Sequence, residues 1–276
     1  MTNFIKRTLS GIGFAAVMLA AFLTNEYVYD IVMLVALIVM MKEFLAMTCG
    51  SDYRYSQILS IISGATLFTL VFLYKGFAFP GRLVILAFIP VLLLMINSLY
   101  LKDKSRFDKF ANLYAVLIYI AIPWAMLNFA VFNCDGEFNG ILLLSFFVLI
   151  WATDVGAYIF GITLGQKYGG RLFPSVSPKK SWIGFWGGLA VAVGAGVGLH
   201  YLGFLNVSLV HSIIVSVLIC VAGVYGDLIE SQWKRHYNVK DSGNCIPGHG
   251  GFLDRFDSAL TAIPVGIVYL ILINLL

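Results

Sequence analysis

The chain has 276 residues, 60% hydrophobic and only 12% charged, with a mean hydropathy of +0.91. Soluble domains carry about 45–50% apolar and about 25% charged residues, so a soluble fold is excluded. The net charge of +4 comes from small clusters of basic residues between apolar runs, which speaks against nucleic acid as a partner.

Apolar runs of membrane length recur from end to end, without the alternating ten-residue segments of a transmembrane barrel. They predict an all-α, polytopic membrane helical bundle of about nine transmembrane helices: Leu9–Thr24, Tyr27–Met47, Ile58–Tyr74, Leu83–Tyr100, Leu113–Phe132, Ile141–Ile162, Trp182–Phe204, Leu209–Leu228 and Phe252–Ile273. The first follows Lys6 and Arg7 and is not clearly followed by a small-residue cleavage site, so it reads as an uncleaved anchor. With the N-terminus in the cytoplasm, Lys75 and Arg82 fall outside and the other basic residues fall inside, as the positive-inside rule requires. The stretch "LKDKSRFDKF" (Leu101–Phe110) then reads as an anchor on anionic membrane lipids. Compact size and short loops point to a bacterial inner membrane.

Residues 1–140 read as an N-terminal scaffold of about five spans. Residues 141–276 read as a catalytic half with cytoplasmic loops over 165–181 and 229–251, the two halves forming one structural domain. The cysteines Cys49, Cys134, Cys220 and Cys245 lie far apart without a CxxC pair, which argues against a zinc site or a disulfide framework. His200 and His211 fall near the outer face and read as structural.

Ionisable residues in a span cost about 2.5–3.5 kcal/mol each on insertion scales. This chain places Asp154, Asp227, Glu230, Asp254 and Asp257 at span ends of the second half, all on the cytoplasmic side. Asp227, Glu230, Ser231 and Lys234 follow i, i+3, i+4, i+7 and share a helix face, and Asp254, Asp257 and Ser258 are spaced to do the same. Two such carboxylate faces at one depth need either a cation between them, such as Mg2+, or ion pairs with Lys234, Arg235 and Arg255. Gly243, Gly248, Gly250 and Gly251 let backbone N–H groups approach an anion, and Gly250 and Gly251 are placed at the N-terminus of the ninth span, where a phosphate is favoured. His249 stands ready to donate to a phosphate oxygen. Upstream, "KYGGRLFPSVSPKKSWIGFWGG" offers Arg171, Lys179 and Lys180 with Ser175, Ser177 and Ser181, held extended by Pro174 and Pro178. Such a loop suits a phosphorylated headgroup or a nucleotide. Gly184, Gly188, Gly194 and Gly198 of the seventh span read as a small-residue face for helix packing.

The segment "SQWKRHYNVKDSGNCIPGHGGFLDRFD" (Ser231–Asp257) resembles the signature of the CDP-diacylglycerol synthase, or phosphatidate cytidylyltransferase, family. The match rests on Ser231, Lys234, Arg235, Lys240, Asp241, Gly243, Pro247, His249, Gly250, Gly251, Asp254, Arg255 and Asp257, with Trp233 where the family usually has an aliphatic residue. "DVGAYIFG" and "SPKKSWIGFWGG" resemble two further family motifs, with Ile183 in place of a usual glutamate. The resemblance implies that CTP and phosphatidic acid give CDP-diacylglycerol and pyrophosphate for phospholipid biosynthesis. It also implies a divalent cation, usually Mg2+, which K+ can accompany, an active site on the cytoplasmic face, and a homodimer.

On that basis Asp227 and Asp254 are expected to hold the metal, with Asp257 and Glu230 in support. Lys240, His249 and Arg255 would steady the phosphates, and Lys179 and Lys180 would receive the phosphatidate headgroup. Asp154, Ser177, Ser231, Lys234, Arg235, Gly250 and Gly251 complete the candidate substrate-binding set. Two rivals stand beside this reading: another CTP-dependent membrane lipid kinase, which would hand the γ-phosphate to an alcohol, and a multi-pass transporter.

Overall fold

The computed structural model describes residues 3–101, 107–246 and 250–276. It is helical almost throughout: α1 (Asn3–Leu23), α2 (Glu26–Thr48), α3 (Arg54–Gly76), α4 (Gly81–Leu99), α5 (Phe107–Ala130), α6 (Ile141–Gly165), α7 (Trp182–Tyr201), α8 (Leu209–His236) and α9 (Ala259–Leu272). Among the described residues, α2 to α8 are each long and apolar enough to cross a membrane, while the apolar part of α1 (Ser10–Leu23) and α9 are shorter. The protein is a multi-pass integral membrane protein of the all-α class.

The chain divides into two compact units. The first holds the residues up to Asn139 together with Tyr237–Arg255, and the second holds Gly140–His236 with Phe256–Leu276.

In the first unit, α2 starts where Asn25 accepts the N–H groups of Tyr27 and Val28 at 3.1 and 3.0 Å, a side-chain cap for two otherwise orphaned donors. Proline sets the irregularities of the next spans. Pro90 lacks the N–H that an α-helix would bond to Leu86, and α4 begins as a 3-10 stretch over Gly81–Ala87. Pro123 has the same effect in α5, where Leu117–Ala121 form a π-turn and the Ile122 N–H bonds back to the Leu117 carbonyl. Trp124 is fully buried beside this turn and donates to the Met33 carbonyl at 2.8 Å, fastening α5 to α2.

In the second unit, glycine lets α6 and α7 touch backbone to backbone. A Cβ at Gly188 would sit 2.9 Å from the Thr153 carbonyl oxygen, and one at Gly184 would sit 3.0 Å from that of Ala157. The small-residue face expected on α7 therefore holds at Gly184 and Gly188. It does not extend to Gly194 and Gly198, which have open space around them among the described residues; the close crossing is confined to the first half of the helix. Between α6 and α7 the chain forms the hairpin β1 (Arg171–Phe173) and β2 (Ser177–Ser181), antiparallel, with Arg171 paired to Ser181 and Phe173 to Ser177. Ser181 ends β2 and caps α7 by accepting the Gly184 N–H at 3.1 Å.

Two expectations change at the end of the chain. The ninth helix begins at Ala259, not Phe252, so Gly250 and Gly251 do not lie at its N-terminus. Leu253–Arg255 form a 3-10 turn, and Asp254 and Asp257 do not share a face of an α-helix. The reason is local: the Asp254 carboxylate is taken up by loop donors, which holds these residues out of a helical turn.

Candidate active site

The second unit contains a cavity of about 590 Å³, within the range of about 300–1,000 Å³ typical of small-molecule sites. Its wall combines Arg171, Lys179, Lys180, Ser181 and Asp154 with the apolar Tyr158, Ile162 and Phe185. The lining thus offers both charge for phosphate and apolar surface. Ser181 is reached closely from α6: Gly165, at the end of the π-turn Gly161–Gly165, lies so near it that any Cβ there would collide with the hydroxyl.

Lys180 connects the cavity to the carboxylates of α8. Its ammonium lies 2.6 Å from Asp227 Oδ2, and both side chains keep about a quarter to a third of their surface exposed. Ser231 donates to Asp227 Oδ1 at 3.2 Å, one turn away. Glu230 is fully buried and is ion-paired with Lys234, also i,i+4. The expected face of α8 is therefore present, but its charges are divided: Glu230 is committed to Lys234, and Asp227 faces the cavity lysine.

Asp257 lies in the turn before α9 and accepts the Ser258 N–H at 2.6 Å. Its surface is partly exposed, yet enough protein surrounds the carboxyl that burial pushes its pKa up to about 7, with the nearby Asp227 charge adding to the rise. Gly226 permits this proximity, since a Cβ there would lie 2.6 Å from the Asp257 carbonyl oxygen and would run into the Thr261 hydroxyl. Gly226→Ala is accordingly expected to cost about 1–3 kcal/mol of stability, read as a lowered melting temperature, because the overpacked backbone must part.

The first unit contains the glycine loop. Asp254 Oδ2 accepts from Ser242 N at 3.0 Å, Ser242 Oγ at 3.0 Å and Gly251 N at 2.8 Å. The Ile246 N–H bonds to the Gly250 carbonyl at 3.1 Å, and Gly250 has a φ of +85°, a region that favours glycine. A Cβ at Gly251 would come 2.8 Å from Asp254 Oδ2, so the glycine is needed for the carboxylate to reach its donors. Lys240 and Arg255 are exposed at the two ends of this loop. His249 lies outside the described residues, as do Pro247 and Gly248.

Of the remaining candidates, Ser177 is half-buried in β2 and Arg235 is exposed near the end of α8. Ile183 lies in the first turn of α7, half-buried. Asp154 is exposed on α6 and lines the cavity. Among the described residues no three His, Cys, Asp or Glu side chains converge closely enough to hold a metal.

One residue escaped the reading of the sequence. Glu43 of α2 accepts the Leu253 N–H at 2.8 Å and lies 3.4 Å from Ser242 Oγ, so the first half of the chain contributes to the loop. A carboxylate inside an apolar run was the signal for it.

A profile of the cytidylyltransferase family matches residues 5–273. The chain is similar to the phosphatidate cytidylyltransferase of Bacillus subtilis (strain 168), 36% identical over 179 residues, which is 65% of either chain. It is 34% identical over 158 residues to that of Staphylococcus haemolyticus, 57% of this chain and 60% of the relative. Against that of Staphylococcus saprophyticus it is 42% identical over 119 residues, 43% of this chain and 45% of the relative. The chain thus spans 65% or less of the length of these relatives. With a family profile running from Ile5 to Ile273, through both the glycine loop and the cavity, the chain belongs to the cytidylyltransferase family.

Proposed function

We propose that this protein transfers the cytidylyl group of CTP to phosphatidic acid, giving CDP-diacylglycerol and pyrophosphate. Lys180 carries the reading: it lines a cavity whose lining is both charged and apolar, and it is held at 2.6 Å by Asp227 of α8. The printed name of the relatives, phosphatidate cytidylyltransferase, supports the same reaction.

The chemistry asks little of a general base. The phosphatidate phosphate is already an anion; one of its oxygens forms a bond to the α-phosphorus of CTP while the bond to the bridging α–β oxygen breaks and pyrophosphate leaves. Catalysis is then positioning and charge neutralisation. Lys179, exposed at the cavity wall, and Lys180 receive the phosphatidate headgroup, and the apolar lining takes its glycerol and acyl portions. Ser177 and Asp154 border this headgroup site, and Lys234 and Arg235 add positive charge at the end of α8. Lys240 and Arg255 steady the triphosphate from the glycine loop, together with Gly250, Gly251 and His249.

The donor set fits a divalent cation. Mg2+ is commonly bound through one or two carboxylates plus substrate phosphates, and Asp257 is raised first by burial and second by the nearby charge of Asp227, a repulsion that a cation between them would relieve. In the second unit Asp227 and Asp257 are the pair that would hold it, Asp254 is assigned with the glycine loop to the metal-bound triphosphate, and Glu230 supports α8 through Lys234 instead. When bound, Mg2+, with or without an accompanying K+, neutralises triphosphate charge.

The metal-free protein should then respond to pH in a defined direction. The folded pKa of Asp257 is raised above its unfolded value, so its stabilising contribution is complete below the unfolded value and lost as pH rises through about 7. Mg2+ is expected to raise the melting temperature at about pH 8 and far less at about pH 5. A shift independent of pH would remove Asp257 from the metal site.

The positive-inside distribution supports a cytoplasmic N-terminus and a cytoplasmic active site. The bacterial relatives support a bacterial inner membrane, and a homodimer completes the proposal. The reaction is tested with CTP labelled at the α- or the γ-phosphorus and phosphatidate in nanodiscs. Cytidylyl transfer puts the α-label in lipid and the γ-label in pyrophosphate. A γ-label in lipid would reveal a kinase, and labelled substrate accumulating in sealed vesicles without conversion would reveal a transporter; either result overturns the proposal.

A further inference from the structure

We propose that Glu43, in the membrane helix α2, is a positioning residue that holds the glycine loop in the form that presents Asp254; this rests on the reading that the loop serves cytidylyl transfer. An ionisable side chain in an apolar helix is costly. Among the described residues Glu43 makes no ion pair, and its Oε1 is buried without a hydrogen-bond partner. Its other oxygen is spent on the loop. Oε2 accepts the N–H of Leu253, the residue before Asp254, at 2.8 Å, and lies 3.4 Å from Ser242 Oγ.

Ser242 is also the residue whose N–H and hydroxyl both reach Asp254 Oδ2, each at 3.0 Å. A hydroxyl has one proton to donate, and the nearer acceptor is Asp254. The firm tie is therefore Leu253 N–H to Glu43, with Ser242 packed between the two carboxylates. One side chain from α2 thus touches both ends of the loop, on either side of its glycines.

Gly243 supports the same conclusion from the opposite side. Any Cβ there would collide with the Glu43 carboxylate, so Glu43 gives a physical reason for glycine at that position of the signature. Asn112 Nδ2 donating to Tyr237 at 2.9 Å and the edge-on contact of Phe14 with Phe252 add ties at the margins, but neither reaches Ser242 or Leu253.

Positioning requires an acceptor, not a charge, and glutamine retains one. The test uses the full chain in lipid nanodiscs. Hydrogen exchange over 241–255 is measured beside turnover of CTP with phosphatidate and Mg2+. Glu43→Ala is expected to speed exchange in that segment about tenfold or more, with exchange in α8 unchanged. It should lower kcat about tenfold to a hundredfold, with KM for CTP moving less than about threefold. Glu43→Gln should restore both within about threefold, and Gly243→Ala, which presses on Glu43 from the loop side, should reproduce the alanine pattern. Wild-type exchange in Glu43→Ala would overturn the proposal. So would a Glu43→Gln protein with wild-type exchange and the turnover of the alanine variant, because the charge itself would then be acting. If the wild-type protein makes no CDP-lipid, the proposed function fails, and the exchange comparison still decides whether Glu43 holds the loop.

Discussion

Asp227→Asn is expected to lower cytidylyl transfer by about two to three orders of magnitude while leaving the protein inserted and folded. Asparagine keeps the shape and can still accept from Ser231, whose hydroxyl lies 3.2 Å from the carboxylate. What it removes is the charge that faces Lys180 at 2.6 Å and that repels Asp257. Lys180 and Asp227 both keep exposed surface, so their ion pair contributes little to stability and its loss should leave the melting temperature nearly unchanged. The substitution also has a signature at the neighbouring carboxyl. Asp257 is raised first by burial and second by Asp227, so its pKa should fall part of the way toward the ordinary carboxylate range. A large rate loss with an unshifted thermal transition is the expected pair of results, measured by pyrophosphate release and by melting in detergent. Wild-type turnover in Asp227→Asn would remove this residue from the reaction.

Asp254→Asn should lose activity about as severely, by a route that the hydrogen bonds make visible. One carboxylate oxygen gathers Ser242 N, Ser242 Oγ and Gly251 N, so the ionised group both organises the loop and supplies charge. Asparagine can place its one carbonyl oxygen where those donors converge, but that oxygen carries no formal charge, so the three bonds weaken and the charge is lost. The expected outcome is loss of CTP transfer with normal membrane insertion, together with faster hydrogen exchange at Ser242 and Gly251. Full activity would sink the assignment of Asp254 to the metal-bound triphosphate.

The spans were legible because the bilayer imposes length and apolarity directly on the sequence. Trp182 was placed as the start of the seventh span, and α7 does begin there. The α8 face was legible for a related reason: an uninterrupted helix turns spacing into geometry, and Ser231 reaches Asp227 as i,i+4 predicts. The ninth span was misplaced because hydropathy cannot register a competing partner. Asp254, Asp257 and Ser258 have helical spacing beside an apolar run, but Asp254 is drawn to Ser242, which is distant in sequence. The pairing of Lys180 with Asp227 and the contact of Glu43 with Leu253 were hidden for the same reason, since no periodicity connects such positions. The hairpin Arg171–Ser181 falls between these cases. Its prolines marked it as extended, but nothing in the sequence set its register or placed Ser181 against Gly165.

The cavity of the second unit, with its charged and apolar lining, is proposed to serve a nucleotidyl transfer to a lipid. The most direct test is the stoichiometry of products made by the purified protein from CTP, dioleoyl phosphatidate and Mg2+, with EDTA as the control. One pyrophosphate is expected for each CDP-diacylglycerol formed, and neither product in EDTA. Folded protein that makes neither product across Mg2+, Mn2+ and added K+ would contradict the proposal.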